Sequence, residues 1–144
     1  IVYAWDISRE TLAIAQENAV LNQVTVHFSQ VDVLQSIPTN QQYNLIVSNP
    51  PYIREMEKEQ MSSNVLDYEP HHALFVPNSN SLLFYHRIAE IAQQQLAKNG
   101  WLYFEINQAK GAEVVKLLKK MQFTQIELRK DISGNPRMVR AMKQ

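Results

Sequence analysis

The sequence predicts an α/β protein with an open, doubly wound and mostly parallel sheet that closes in an antiparallel hairpin. Short apolar runs alternate with amphipathic helical stretches along most of the chain, and only a turn separates the last two strand-like runs. The length of 144 residues and the apolar content of 45% are enough for one hydrophobic core. We therefore expect residues 1–144 to be one domain or a piece of one.

The first three segments predict a βαβ unit. The apolar run IVYAW at residues 1–5 predicts a strand. Ser8 is a suitable N-cap for a helix that should reach about Leu21. The alternation in VTVHFS at residues 24–29 predicts the second strand. The apolar residues expected on the inner face of the helix are Leu12, Ala15, Ala19 and Val20.

The third strand is predicted at residues 43–48, YNLIVS, and two prolines follow it closely. Proline has no N–H for a strand ladder and fixes its own φ, so the strand must end there. Residues 53–80 are polar and poorly periodic and include Pro70 and Pro77. A loop of this length in a compact domain is usually functional or mobile, and we expect a mobile functional loop.

The rest of the chain predicts a helix, a strand, a second helix and two final strands. The first of these helices lies within residues 81–100, with Leu96 on its apolar face and Gly100 as its C-terminal stop. No helix separates the two final strands, so they should pair as a hairpin around a turn at 132–136. The later segments are the strand 101–106, the amphipathic helix 111–121, and the strands 124–130 and 137–143.

Composition excludes several classes of protein. Basic and acidic residues number 14 each, so the formal net charge is zero, and a broad nucleic-acid surface would need a basic face. We expect no stable nucleic-acid partner. No apolar run approaches the roughly 20 residues of a membrane-spanning helix, and no signal peptide is visible, so we expect no membrane contact. The absence of cysteine suits a reducing cytosol, and we expect a cytoplasmic protein.

The first residue, Ile1, already belongs to an apolar strand pattern. Natural domains rarely begin in mid-core, so we expect the domain to be truncated at its N-terminus. The sequence does not indicate an oligomeric state.

Polar residues follow each of the first three predicted strands. Asp6 could accept hydrogen bonds from both hydroxyls of a ribose, or it could be a negative charge favoured at a helix N-terminus. Asp32 could accept from the exocyclic amine of an adenine, although a turn-forming aspartate is the simpler interpretation. Ligands of open α/β sheets lie beyond the carboxyl ends of the strands. We therefore expect Asp6, Asp32 and Asn49 to converge, with the two acids meeting one adenosine.

The most specific pattern is Asn49-Pro50-Pro51-Tyr52 at the end of the third strand. The Asn49 side chain and the main-chain carbonyl of Pro50 provide two hydrogen-bond acceptors on a backbone that prolines stiffen. Two acceptors suit a planar –NH2 group and orient its nitrogen toward an electrophile, and Tyr52 can cover the flat face of that group. A proline-rich turn is the simpler alternative. The pattern predicts a grip for an amide or amine nitrogen that needs no strong general base.

His71 and His72, with Asp67 and Glu69 nearby, raise the question of a metal site. Adjacent histidines rarely bind one ion together, and no common metal-binding spacing of His, Cys and Glu is present. We therefore expect a solvated loop without a metal.

These features resemble the class I S-adenosylmethionine-dependent methyltransferases and, more closely, the release-factor glutamine methyltransferase family. The resemblance covers essentially the whole chain. The Asn-Pro-Pro-Tyr motif alone is shared with adenine-DNA and guanine-rRNA methyltransferases, whereas the Tyr-Glu-Pro loop and the Phe-Tyr-His-Arg-Ile helix indicate the glutamine branch. The segments that carry it are VYAWDIS, NLIVSNPPYI, DYEPHHALF, LLFYHRIAEIAQQQLAKNGWLYFEI and ISGNPRMVRA.

The resemblance implies methyl transfer from S-adenosylmethionine to the side-chain amide nitrogen of the glutamine in the Gly-Gly-Gln motif of peptide-chain release factors. A release factor would then be the protein partner. The implied cofactor-binding residues are Asp6, Asp32 and Asn49. The implied catalytic residues are Asn49, Pro50, Pro51 and Tyr52, and the implied substrate-binding residues are Asn49, Pro50, Tyr52 and Glu69.

The resemblance also implies parts that this sequence lacks. The family's amino-terminal helical domain, its first strand and its glycine-rich loop have no counterpart, so residues 1–144 would be a partial methyltransferase domain that is inactive alone. After Glu105 the family usually has Gly and then Gln-Gly, where this chain has Asn107 and Lys110-Gly111. Two other functions stay open: methylation of an exocyclic base amine in DNA or rRNA, and a binding or structural module without catalysis.

Overall fold

A computed structural model of the chain describes residues 1–35, 37–38, 41–54, 75–76 and 80–144, with the backbone alone at residues 53–54 and 75–76. The chain divides into two units, Ile1–Pro38 and Thr39–Gln144. Each unit contains paired strands of its own.

The first unit is the predicted βαβ element. Strands β1 (Val2–Asp6) and β2 (Val26–Gln30) pair in parallel along their whole length. Helix α1 (Arg9–Leu21) connects them and begins after the N-cap Ser8, whose Oγ accepts a hydrogen bond from the Thr11 N–H at 3.2 Å. The N-cap and the end of the helix agree with the prediction, while β2 starts at residue 26 rather than at 24.

The apolar face predicted for α1 is only partly covered. Leu12, Ala15 and Ala19 are half-buried, whereas Val20 is 72% exposed. Val31, which follows β2, is buried. The first unit therefore removes little apolar surface from water by itself, and most of the core lies in the second unit.

The second unit is built on a four-stranded sheet in the order β3-β6-β8-β7. Strand β3 (Tyr43–Ser48) runs parallel to β6 (Leu96–Glu105). Strand β8 (Pro136–Met142) pairs antiparallel with β6 and with β7 (Thr124–Lys130). The predicted C-terminal hairpin is confirmed, and its second strand lies between β6 and β7.

Among the described residues of this unit, two helices cover one face of the sheet. They are α2 (Leu83–Gln95) and α3 (Gly111–Lys120), and a 3-10 turn (Gln108–Lys110) leads into the second. The apolar face predicted for α3 is confirmed, since Val114 and Leu118 are buried. The core of this unit consists of Tyr85, Ile88, Ala89, Ala92, Leu96, Leu102, Phe104, Ile106, Val114, Leu118, Phe123, Val139 and Ala141.

Helix α2 is shorter than predicted. It ends at Gln95, and the chain enters β6 at Leu96, so Gly100 lies within a strand and the prediction that it stops the helix is wrong. A Cβ at Gly100 would lie 2.9 Å from the carbonyl oxygen of Ala97 and 3.2 Å from that of Asn44. Glycine at this position therefore avoids a clash between a side chain and the neighbouring backbone inside the strand.

At its described positions 53–54 and 75–76, the segment predicted as one long loop forms two short strands. Strands β4 (Ile53–Arg54) and β5 (Phe75–Val76) pair in parallel, so the prediction of an uninterrupted loop over 53–80 is wrong at these two places. Glu69, like the histidine pair 71–72, lies outside the described residues. The predicted role of Glu69 in substrate binding and the predicted mobility of the loop stay predictions.

Strand β3 is less buried than its apolar sequence suggests. Ile46 packs against the core, but Leu45 and Val47 are 53% and 69% exposed. Because successive side chains of a strand point to opposite faces, one face of β3 meets the core and the other is exposed.

Candidate functional site

The segment Asn49-Pro50-Pro51-Tyr52 directly follows β3. Pro50 is buried, and Tyr52 is half-buried and packs against the core. Asn49 is exposed, and its side chain makes no hydrogen bond within the described ranges. The stiff, anchored backbone therefore presents the Asn49 amide with its donor and acceptor groups available.

Asn49 borders a cavity of about 310 Å3 on the exposed face of the sheet. The cavity is also lined by Val47 from β3, Tyr103 and Glu105 from β6, and Arg140 from β8. This lining combines an apolar side chain, an aromatic ring and charges of both signs. It suits a ligand that carries both apolar and hydrogen-bonding groups.

Arg140 is held firmly in the wall of this cavity. Its Nη2 lies 2.7 Å from Oε2 of Glu127, and its guanidinium carbon lies 4.8 Å from the ring centroid of Trp101. Hydrogen bonds from Arg129 and Arg140 hold the pKa of the Glu127 carboxyl below its usual range. The wall therefore keeps fixed charges at neutral pH.

Tyr85 supports the site from within the core. Its side chain is fully buried and meets the Phe104 ring edge-on, with 5.3 Å between the ring centroids. The hydroxyl accepts a hydrogen bond from the Asn107 N–H at 3.3 Å and donates to the Glu105 carbonyl oxygen at 3.5 Å. Burial raises the pKa of Tyr85 well above its usual value, so the hydroxyl stays neutral. Tyr85 thereby ties α2 to the carboxyl end of β6.

The turn between β7 and β8 is organised around Asp131. Its Oδ1 accepts hydrogen bonds from the backbone N–H groups of Ser133 at 2.9 Å and Asn135 at 3.0 Å. Its Oδ2 accepts from Nε of Arg137 at 3.2 Å. The pKa of Asp131 lies below its usual range because the carboxylate accepts hydrogen bonds from the Asn135 N–H, the Arg137 guanidinium and the Ser133 N–H. Asp131 therefore stays ionised at neutral pH and fixes Arg137 at the start of β8.

Sequence reasoning missed Tyr85, Asp131 and Arg137 as parts of this region. A tyrosine in the middle of an apolar helix face is a signal for a buried hydroxyl that needs a partner. An aspartate before Ser, Gly and Asn is a signal for a side chain that bonds its own turn. Neither signal shows which part of the sheet the Tyr85 or Asp131 side chain contacts.

Asp6 and Asp32, the two aspartates of the first unit, both accept hydrogen bonds from groups close by in sequence. Asp6 Oδ1 accepts from the Ser8 N–H at 2.8 Å, at the start of α1. Asp32 Oδ1 accepts from the Leu34 N–H, and its Oδ2 accepts from Nε2 of Gln35, each at 2.9 Å. The turn role considered for Asp32 is therefore observed, and the helix-terminal position considered for Asp6 is observed as well. Neither geometry excludes a ligand, because each carboxylate oxygen can accept more than one hydrogen bond.

Asp6 and Asp32 belong to the first unit, and the segment from Asn49 to Tyr52 belongs to the second. Their convergence stays a prediction. Within the part of the chain that the structure describes, no three His, Asp or Glu side chains are grouped to hold a metal ion. No helix in that same part has both the length and the apolar character of a membrane span.

Residues 1–72 match the family model of the methyltransferase small domain. The chain is 52% identical over 139 residues to the release factor glutamine methyltransferase of Flavobacterium psychrophilum, covering 96% of this chain and 49% of that protein. It is 45% identical over 141 residues to the release factor glutamine methyltransferase of Bacteroides thetaiotaomicron, covering 97% and 51% respectively. The chain spans about half the length of the curated relatives it matches.

Solved structures confirm the predicted fold class. A methyltransferase from Pyrococcus furiosus aligns with a TM-score of 0.69 at 14% identity, over 99% of this chain and 62% of that one. Magnesium protoporphyrin IX methyltransferase from Synechocystis, solved with bound SAM, aligns with a TM-score of 0.58 at 17% identity, over 100% of this chain and 60% of that one. At such identities the likeness shows the fold alone, which is that of the class I methyltransferases. With the match over residues 1–72 and the similarity to release factor glutamine methyltransferases over nearly its whole length, the chain belongs to the methyltransferase small domain family.

Proposed function

We propose that this chain carries the catalytic residues of an enzyme that methylates the side-chain amide nitrogen of glutamine in the Gly-Gly-Gln motif of peptide-chain release factors, with S-adenosylmethionine as methyl donor. The observation that carries the proposal is the end of β3, where an exposed Asn49 precedes a buried Pro50. The similarity to release factor glutamine methyltransferases supports the choice of acceptor. The proposal implies a cytoplasmic protein, because release factors act on ribosomes.

Asn49 and Pro50 position the acceptor amide. The Oδ1 of Asn49 and the carbonyl oxygen of Pro50 each accept one N–H of the glutamine –NH2, which fixes the direction of the nitrogen lone pair. Amide nitrogen is a poor nucleophile because its lone pair is delocalised into the carbonyl group. As the new nitrogen–methyl bond forms, the carbon–sulfur bond of the donor would break and leave a neutral thioether. Positive charge develops on the nitrogen, and the two oxygens stabilise that charge until the proton passes to water.

Tyr52 completes the acceptor site. Its ring packs against the core while its side chain remains half-buried, so it can cover the flat face of the amide and exclude water. Positioning and electrostatic stabilisation carry the catalysis, and no strong general base is required.

Asp6 fits the ribose of the methyl donor. Its Oδ1 bonds to the Ser8 N–H, and within the described residues its Oδ2 makes no hydrogen bond and is available to a ribose hydroxyl. Asp32 would have to use the second lone pair of an oxygen that already accepts from its own turn. S-adenosylmethionine supplies the methyl group on a positively charged sulfur when it is bound.

The experiment uses the complete protein in which this chain occurs, S-adenosylmethionine with a labelled methyl group, and three acceptors. These are a release factor, the same factor with the Gly-Gly-Gln glutamine replaced by glutamate, and a mixture of DNA and rRNA. We expect label only in the unmodified release factor. Label in the nucleic acid would favour methylation of a base amine. Tight binding of the release factor without any transfer of label would favour a binding module.

A further inference from the structure

Arg137 lies near the same end of the sheet as the acceptor residues Asn49 and Pro50. Ser48 pairs with Phe104, and the same register continued by two residues would place Pro50 beside Ile106. The Ile106 N–H donates to the carbonyl oxygen of Arg137 at 2.8 Å, so Arg137 in β8 lies beside Ile106, the residue that follows β6. The backbone of Arg137 is therefore about two strand spacings, or about 10 Å, from Pro50. An arginine side chain spans much of that distance.

Asp131 orients the Arg137 guanidinium. The bond to Asp131 uses Nε, and within the described ranges neither Nη group makes a hydrogen bond. The Arg137 side chain is 32% exposed, so both Nη groups can meet a ligand. The hydrogen bond to Asp131, together with nearby Tyr52 and Glu105, raises the pKa of Arg137, and the guanidinium remains charged at any pH at which the protein is folded.

The local charge favours a neutral hydrogen-bond acceptor. Asp131 balances the charge of Arg137, and the carboxylate of Glu105 lies near enough to act on that guanidinium. A carboxylate or phosphate would be repelled by Glu105, whereas a peptide carbonyl carries no net charge and can accept from Nη. A Gly-Gly-Gln segment offers no side chain before its glutamine, so recognition of that part depends on its main chain.

We propose that Arg137, oriented by Asp131, binds main-chain carbonyl oxygens of the acceptor polypeptide beside the glutamine that is methylated. The inference rests on the proposed function and adds a binding residue to its acceptor site. Arg137 acts in substrate binding, while Asn49 and Pro50 hold the reacting amide.

The test compares Arg137→Gln, Arg137→Lys and Arg87→Gln in the complete protein, with a Gly-Gly-Gln-containing release factor as acceptor. Arg87 is a matched control, because it is a partly exposed arginine that pairs with Glu90 on α2. Loss of a charged hydrogen bond should raise KM for the release factor about ten- to a hundredfold in Arg137→Gln and leave kcat within about threefold. Arg137→Lys keeps the charge but loses the fork of donors, so its KM should be intermediate. Arg87→Gln should match the wild type.

A peptide acceptor separates carbonyl binding from a merely structural role. In a Gly-Gly-Gln peptide whose two glycine amides are replaced by esters, the carbonyl groups are weaker acceptors, so the effect of Arg137→Gln on KM should largely disappear. An unchanged KM in Arg137→Gln would overturn the inference, as would a fall in kcat alone or an equal effect on the amide and ester peptides. Absence of methylation by the wild type would refute the proposed function itself, and the inference with it. A wild type that methylates the release factor, with an Arg137→Gln variant identical to it, would refute the inference alone.

Discussion

Replacing Tyr85 with phenylalanine removes one buried hydroxyl and keeps the ring against Phe104. The change leaves the Asn107 N–H and the Glu105 carbonyl oxygen without this partner. The net value of a buried hydrogen bond is about 0.5–1.5 kcal/mol, and contacts of 3.3 and 3.5 Å are long for a hydroxyl. We expect the free energy of unfolding to fall by about 1 kcal/mol.

Urea unfolding followed by circular dichroism measures this change. The midpoint should fall while the m value stays the same, because the surface exposed on unfolding is nearly unchanged. Tyr85→Ala also loses the ring and should cost about 3–5 kcal/mol. Tyr103→Phe is the comparison, since the Tyr103 hydroxyl bonds the Arg140 side chain at a half-buried position, and its loss should cost less than the loss at the fully buried Tyr85. A Tyr85→Phe midpoint equal to the wild-type midpoint would refute the claim that this hydroxyl ties α2 to the end of β6.

Tyr85 also contributes to the dependence of stability on pH above about pH 10. Burial raises its pKa in the folded state, while a tyrosine in the unfolded chain titrates near about 10. Its contribution is therefore complete below about pH 10 and is lost as the pH rises further, at up to about 1.4 kcal/mol per pH unit. Tyr85→Phe should lose stability less steeply than the wild type above about pH 10. Equal slopes would show that the hydroxyl ionises as freely in the folded protein as in the unfolded chain.

Two further predictions concern the core and the cofactor site. Leu102→Ala should lower the free energy of unfolding by about 2–5 kcal/mol, because Leu102 is 0% exposed. Val47→Ala should change it by less than about 0.5 kcal/mol, because the Val47 side chain is 69% exposed. Thermal unfolding measures both changes. Asp6→Asn keeps an oxygen that accepts from the Ser8 N–H but replaces an acceptor with a donor. It should weaken S-adenosylmethionine binding in calorimetry and spare kcat at saturation, and unchanged affinity would contradict the ribose assignment of Asp6.

Local signals account for the elements that the sequence predicts well. The Ser8 cap sets the start of α1, and the prolines after residue 48 set the end of β3. The turn at 132–136 sets the β7–β8 hairpin. Each of these signals acts within a few residues of the boundary that it determines, so the boundary is visible without tertiary structure.

The end of α2 depends on a distant strand. Leu96 pairs with Tyr43 on β3, and this pairing extends β6 back to the last residue of the helix. The same residues have an amphipathic helical pattern, so local propensity favours helix up to Gly100. The strand pairing overrides that propensity, and no local pattern reports it.

Some residues of the candidate site are visible in the sequence, and others depend on the tertiary structure. Asn49 and the three residues after it form one contiguous motif, which the sequence shows directly. Tyr85 bonds the Asn107 N–H, which is 22 residues away in sequence, and Arg137 lies beside Ile106 because β8 pairs with β6. Such contacts follow from the order of strands in the sheet. They become visible only when β8 is known to lie between β6 and β7.

The central claim is that Asn49 holds the acceptor amide, and Asn49→Ala in the complete protein tests it most directly. Asn49 is exposed and lacks a hydrogen-bond partner within the described residues, so the variant should fold as stably as the wild type. Asn44→Ala, at an exposed asparagine on the same strand, is the matched control and should behave as the wild type in every assay.

The measurement is kcat for methylation of a Gly-Gly-Gln-containing release factor, with S-adenosylmethionine affinity measured separately by calorimetry. Loss of one preorganised polar contact should lower kcat about 10²–10³-fold in Asn49→Ala and leave the cofactor affinity nearly unchanged. Normal turnover in Asn49→Ala, or a loss of cofactor affinity without a fall in kcat at saturation, would contradict the assignment of Asn49 to the acceptor amide.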